Sequence, residues 1–388
     1  KIKKNLIKLM KKKLRSNNKI IFPVSIPYIS QRDINSVNKV LKNGWISSDG
    51  PEVRKFESEF SKFIGRKYSV TVSSGTAALE IAIKALGIKK NDEVLIPNFT
   101  IISNALAVVK QQAKPVLVDC NLENWNIDIN QLENKINKKT KAIIITHIYS
   151  FANDMDKILK ICRKNNIFVI EDAAEVIGLK YKNKKCGSFG DISTFSFYAN
   201  KQITTGEGGM ISVNKFDLYN KCKSLRNLCF GKLNRFNHED IGWNYRMTNI
   251  QAALGLSQIK NINKIVKKKI MIGRQYYKNL KLNKNLTILP PSISYSKNIY
   301  WVVGILIKNK KIKSSLLAIK LRKFGIMTRP FFWPMHEQQI FKKMKLFKKS
   351  KFPNSSYLAR YGLYLPSYYN LNNKQIDYIS SVVNNILK

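Results

Sequence analysis

Acidic residues are scarce in this chain. Against 69 Lys and Arg it carries 24 Asp and Glu, a formal charge of +45 over 388 residues. An excess of that size first raises binding to nucleic acid or an anionic surface. No zinc-finger spacing, basic zipper or other nucleic-acid module accompanies it. Lys far outnumbers Arg, and Asn and Ile are abundant too, the composition that AT-rich coding leaves. The charge is spread along the chain, although "FKKMKLFKKSKF" (341–352) is dense and interleaved with aromatics. No specific nucleic-acid partner is expected, only a diffuse attraction for anionic substrates. A non-catalytic nucleic-acid-binding protein remains the reading from a different class.

Cysteine is also sparse. The five residues (Cys120, Cys162, Cys186, Cys222, Cys229) are odd in number and form no CxxC. That excludes a disulfide framework and a zinc site, and it points to reduced thiols in a cytoplasmic setting with no metal. No apolar run approaches the length of a membrane span, so no membrane insertion is expected. The N-terminus, "KIKKNLIKLMKKKLRSNNKIIF", lacks an apolar h-region and a small-residue cleavage site, which excludes a secretory signal of the usual kind. The first methionine is Met10, and the residues before it are expected to be a translated extension or an unstructured lead.

What is present is alternation. "YSVTVSS", "EVLIP", "KPVLVDC", "KAIIITHIY" and "IFVIED" are short runs rich in Val and Ile. Between them lie the helix-like "GTAALEIAIKALG", "IISNALAVVKQQ", "INQLENKI" and "MDKILKICRKNN". Strands alternating with helices predict a mainly parallel sheet covered on both faces. "STFSF" and "GGMISV" add two strands, and a long helical stretch follows over 248–280. The expected division is a basic lead (1–24), a large domain with its long connecting helix (25–280), and a smaller C-terminal α/β domain (281–388).

Ligands of parallel α/β sheets bind at the carboxyl ends of strands. Three features fall there. Ser74, Gly75 and Thr76 end one strand and open a helix, where free N–H groups and the positive helix end suit a phosphate. Asp172 closes "IFVIED", behind the apolar run "IFVI", with Glu175 three residues on, a pattern that a helix cap would also produce. Lys201 follows a strand and a tight "YAN" turn, just before "TTGEGG". Each alone has an ordinary structural explanation. Together, a phosphate site, a carboxylate and a lysine on one sheet edge are the parts that hold pyridoxal 5′-phosphate (PLP).

The ordered set "SSGTAAL", "IPNFT", "THIYS", "IEDAAE", "GSFGDISTFSFYANKQITTGEGG", "GWNYRMTNIQAALG" and "TRPFFWPMH" resembles the DegT/DnrJ/EryC1/StrS family of sugar-nucleotide aminotransferases. The resemblance runs from about residue 27 to the C-terminus. It implies the PLP-dependent transferase fold of type I, with the aspartate aminotransferase architecture. By position, it implies that Lys201 is the Schiff-base lysine and Asp172 the partner of the pyridine nitrogen. Glu175 would lie near the phenolic oxygen, and Ser74, Gly75, Thr76 and Ser196 at the phosphate. Asn244 and Arg246, in "NYRM", would be supplied by a neighbouring subunit, which implies a homodimer with shared active sites. The position after "FT" is often aromatic in the family. Here it is Ile101, so the cofactor ring is expected to rest on aliphatic surface. Ser150 replaces Gly in the family's "HxYG". His147, Tyr149, Arg329 and His336 are candidate sugar-nucleotide contacts. The implied reaction transfers the amino group of L-glutamate to a nucleotide-linked 4-keto-6-deoxy sugar. GDP-4-keto-6-deoxymannose, giving GDP-perosamine, is the first expectation, and a dTDP- or UDP-linked sugar the alternative. A dehydrating relative carries His at the lysine position, and Lys201 argues against that chemistry.

Overall fold

The computed structural model describes residues 22–149, 151–231, 233–234, 236–348 and 351–388. Most of the basic lead, Ser150, and Lys349 and Ser350 of the dense basic stretch lie outside the described residues.

Seven strands form the central sheet: β1 (Tyr68–Val72), β2 (Glu93–Pro97), β3 (Lys114–Val118), β4 (Thr140–Thr146), β5 (Phe168–Asp172), β6 (Ile192–Ser196) and β7 (Gly209–Val213). Their spatial order is β1-β7-β6-β5-β4-β2-β3. The pairs β2–β3, β2–β4, β4–β5 and β5–β6 are parallel. Only β7 runs against its neighbours β6 and β1. Six strands therefore point the same way, and their carboxyl ends share one edge.

Both faces of this sheet are buried, which is why its strands read as continuous Val/Ile runs. Side chains still alternate with period two. Leu95, Ile143 and Ile145 enter one core, while Val94, Ile96, Ala142 and Ile144 enter the other. The first core is closed by helix Pro51–Ile64 through Val53, Phe56, Phe60 and Ile64, and by helix Met155–Lys164 through Met155, Ile158 and Cys162. The second is closed by helices Gly75–Ala85 and Ser103–Lys110.

Two expected helices differ. The stretch 248–280 forms two helices, Asn249–Ile259 and Ile262–Leu280, separated at Lys260 and Asn261. "INQLENKI" makes two short 3₁₀ turns, the first opened by the Asp128 carboxylate accepting from the Asn130 N–H.

A second, antiparallel sheet joins Leu286–Ile288, Val303–Ile307, Gly362–Leu365 and Arg329–Pro330. Its core includes Ile272, Tyr276 and Leu280 of the long helix and Phe22, which is fully buried and pairs with Ile326. Phe22 comes from the segment read as the lead. An aromatic cluster of Phe99, Trp125, Tyr149, Trp301, Phe331 and Tyr364 joins this sheet to the edge of the larger one. All five cysteines are free and buried. No described helix is long and apolar enough to cross a membrane.

Candidate active site

The carboxyl edge of the large sheet opens into a cavity of about 370 Å³. Ser74, Gly75, Thr76, Ile101, Asp172, Glu175, Ser196, Lys201 and Arg329 all line it. Thus nine sequence-predicted residues, drawn from positions 74 to 329, are brought together.

The phosphate-like end is built by helix Gly75–Ala85. Ser74 is its N-cap, its hydroxyl accepting from the Ala77 N–H. The first-turn N–H groups have no acceptor within the helix. Gly75 is required by close approach, since a Cβ there would lie 2.9 Å from that of Ser196. Gly209 is equally constrained, its missing Cβ falling 2.5 Å from the Ser74 carbonyl oxygen.

Asp172 ends β5. No helix follows it, and its Oδ1 accepts from the Ala174 N–H at 3.2 Å. Oδ2 has only a long 3.4 Å contact from the Thr146 hydroxyl, itself held by the Asn104 amide at 2.6 Å. Burial raises the Asp172 pKa, against the opposing pull of the Ala174 N–H, Lys201 and Asn104. Such a carboxylate is short of a donor. Glu175 is also buried, and burial raises its pKa against the pull of Lys201 and the Tyr149 N–H, which it accepts at 2.8 Å.

Lys201 sits in the turn between β6 and β7, its N–H bonded to the Tyr198 carbonyl. Burial lowers its pKa, while Glu175 and Asp172 pull it back up. Its amine lies 3.8 Å from the centroid of the Trp301 ring. The indole N–H of Trp301 donates to the Asn200 carbonyl at 2.9 Å.

Five predicted residues do not line the cavity. His147 was expected at the sugar, but it is fully buried. Its Nδ1 accepts from the Asn153 N–H, leaving Nε2–H to donate to Glu171 Oε1 at 3.0 Å. Tyr149 is fully buried behind Glu175, and its hydroxyl accepts from the Phe332 N–H. It adopts φ 53°, uncommon for a non-glycine residue. His336 is anchored to Asn98 and Ser356. Asn244 pairs with Asn227 through a β-bridge, and Arg246 donates to the Asn227 side chain at 2.7 Å.

Sequence reasoning missed Trp301, Asn104, Thr146, Thr194, Tyr198 and Glu207. The one usable signal was the Trp that opens "WVVGILI". Thr146, Thr194, Tyr198 and Glu207 lie inside the quoted "THIYS" and "GSFGDISTFSFYANKQITTGEGG" without having been singled out, and Asn104 lies outside every quoted motif.

These residues fit PLP. The cavity joins a helix N-terminus, a donor-poor buried carboxylate and an enclosed lysine. Thr194 Oγ1 and Asn200 Oδ1, on the same lining, are buried without a hydrogen-bond partner. A bound polar group would satisfy them.

Comparison with known proteins places the chain in a family. A family model described as the DegT/DnrJ/EryC1/StrS aminotransferase family matches residues 27–384. The chain is 39% identical to GDP-perosamine synthase of Escherichia coli O157:H7, over 93% of this chain and 97% of that protein. It is 35% identical to GDP-perosamine synthase of Vibrio cholerae, over 94% and 99%. Among solved structures, Helicobacter pylori PseC, an aminotransferase involved in the biosynthesis of pseudoaminic acid, superposes with a TM-score of 0.89 at 27% identity, covering 94% of this chain and 99% of that one.

Proposed function

We propose that this chain, which belongs to the DegT/DnrJ/EryC1/StrS aminotransferase family, transfers the amino group of L-glutamate to GDP-4-keto-6-deoxymannose and so makes GDP-perosamine. The family is PLP-dependent, and PLP is the cofactor. The observation that carries the reading is the enclosure of Lys201 with Asp172 and Glu175 in one cavity that the Ser74–Thr76 helix start also lines. The names of the Escherichia coli and Vibrio cholerae relatives support the sugar.

When bound, PLP links to an amine and draws electrons from the carbon beside it, so that a proton there becomes acidic. The chain's own residues do the rest. Ser74, Gly75, Thr76 and Ser196 would hold the phosphate. Asp172, short of a donor, would take the pyridine N–H and keep it protonated. Glu175 and Ile101 would flank the ring. Lys201 Nζ would hold the cofactor at rest. Once displaced by glutamate, it would take the α-carbon proton as a base and return it as an acid. Burial favours this role, because a desolvated amine gives up its proton more readily.

A groove of about 930 Å³ adjoins the cavity through Ile101, Arg329, Phe332 and Tyr364. Lys313, Trp333 and Arg360 also line it. Its cations and aromatic walls suit a nucleoside diphosphate.

Asn244 and Arg246 lie outside their own chain's cavity, which supports their service to a neighbouring one. The same loop exposes Leu233, Phe236 and Ile241, as a contact with a second copy requires. A homodimer with shared sites is therefore part of the proposal. Free, buried thiols support a reducing, cytoplasmic setting.

The test is kcat/KM for GDP- and dTDP-linked 4-keto-6-deoxy sugars with glutamate as donor. The proposal expects the GDP sugar to be preferred. A preference for the dTDP sugar by more than about tenfold, roughly 1.4 kcal/mol, would overturn the acceptor and leave the aminotransferase chemistry standing.

A further inference from the structure

We infer that Trp301 is the positioning residue of the Lys201 amine: its ring face seats the ammonium form, and its N–H fixes the carbonyl that precedes the lysine. The inference rests on the reading of Lys201 as the lysine that carries the cofactor.

Two contacts from one side chain converge on the same turn. Lys201 Nζ lies 3.8 Å from the ring centroid, and Nε1–H donates to Asn200 O at 2.9 Å. Trp301 is itself held rigid. It is 5% exposed, and Tyr149 packs against it with ring centroids 6.0 Å apart. Among the described residues, Lys201 makes no ion pair within 4.0 Å. Asp172 and Glu175 act on it at longer range. The indole face, whose potential is negative, is in contact with the amine.

This arrangement suits a group that must both take and return a proton. A touching carboxylate would hold the ammonium in a fixed ion pair and could accept its proton. An indole ring attracts the cation without competing for the proton. The Asn200 tether stops the turn from carrying the amine away while it is unlinked. The seat raises the proton affinity of an amine whose pKa burial lowers. A desolvated cation–π contact is worth about one pKa unit, or roughly tenfold in proton affinity.

The test compares wild type, Trp301→Leu and Trp301→Phe as full-length proteins. Borohydride reduction with PLP, followed by peptide mapping, first checks the premise. Cofactor mass on a lysine other than Lys201 would overturn that reading and this inference with it. The second readout needs no turnover. In protein stripped of cofactor, the rate of Lys201 acetylation by acetic anhydride is followed against pH by mass spectrometry. Trp301→Leu is expected to lower the Lys201 pKa by about one unit, with a smaller fall for Trp301→Phe. In the third readout, kcat for the glutamate half-reaction falls in Trp301→Leu with KM little changed. If the leucine variant does not fold, uniform replacement of tryptophan by fluorinated analogues substitutes for it, because fluorine drains the ring face without changing its shape. The Lys201 pKa should then fall stepwise with fluorine number. A folded Trp301→Leu protein whose Lys201 titrates as in wild type, or a flat fluorine series, would overturn the inference.

Discussion

Glu171 and Asp172 stand side by side at the end of β5 and face opposite surroundings. The Glu171 carboxylate is fully buried and enclosed by donors: His147 Nε2–H, the Ser193 hydroxyl and the N–H groups of Gly187, Phe189 and Gly190. Burial would raise its pKa, but the His147 and Gly187 N–H groups and the Arg66 charge outweigh it and bring it to about 2. Asp172, one residue on, turns to the cavity and lacks comparable donors. One carboxylate has a structural setting and the other is left to meet a ligand.

Glu171→Ala is therefore expected to act on stability. It would leave the Arg66 guanidinium, bonded to Gly187 O, Gly190 O and the Ser193 hydroxyl, without its buried countercharge. A loss of about 3–5 kcal/mol follows from breaking such a network on one side. Denaturant unfolding of the variant measures it.

Asp172→Asn is expected to act on turnover. The amide keeps the shape and removes the charge that would hold the pyridine proton. The fall in kcat should exceed about 100-fold, or roughly 2.7 kcal/mol, with Tm little changed. Steady-state kinetics with glutamate and the GDP sugar decide it. Near-normal turnover would leave Asp172 as a turn residue only.

Lys269 gives a pH prediction outside the site. Its amine is buried and donates to the Ser367 carbonyl and hydroxyl, with no carboxylate partner among the described residues. Burial lowers its pKa from 10.5 to about 7. The unfolded chain then holds a proton between those values that the folded chain has released. Stability should fall as pH drops through this window, by at most about 1.4 kcal/mol per pH unit, and level off below pH 7. Lys269→Met should remove this slope. Tm measured from pH 6.5 to 9.5 in both proteins checks the difference, and parallel curves would contradict it.

Subunit sharing predicts complementation. Asn244→Ala and Lys201→Ala homodimers should each be impaired, and exchange of subunits should restore activity in sites that draw one intact residue from each chain. No recovery after verified exchange would place both residues in the same chain's site.

Much of this layout was legible in the sequence. Val/Ile runs with intervening helices announced the sheet, and Ser74, Asp172 and Lys201 were legible because each follows a strand that ends at the same edge. What was not legible depended on which way a side chain turns. His147 and Tyr149 lie just beyond β4 on the same edge, yet His147 turns in to Glu171 and Tyr149 backs Glu175. Trp301 was missed for the converse reason. It arrives from 100 residues beyond Lys201 through the aromatic cluster, and no local pattern announces a contact made by tertiary packing. Asn104, on helix Ser103–Lys110, and Thr146, at the end of β4, come to Asp172 through tertiary packing.

The most direct test of the account is the half-reaction of wild type and Lys201→Ala, each loaded with PLP and mixed with L-glutamate, followed by visible absorption and by 2-oxoglutarate release. Wild type should lose the colour of its lysine-bound cofactor, release one equivalent of 2-oxoglutarate per site, and recover the colour when the GDP-linked keto sugar is added. Lys201→Ala should bind PLP without the lysine-linked spectrum and release no 2-oxoglutarate on the wild-type timescale. Release by Lys201→Ala at a rate comparable with wild type would contradict the account.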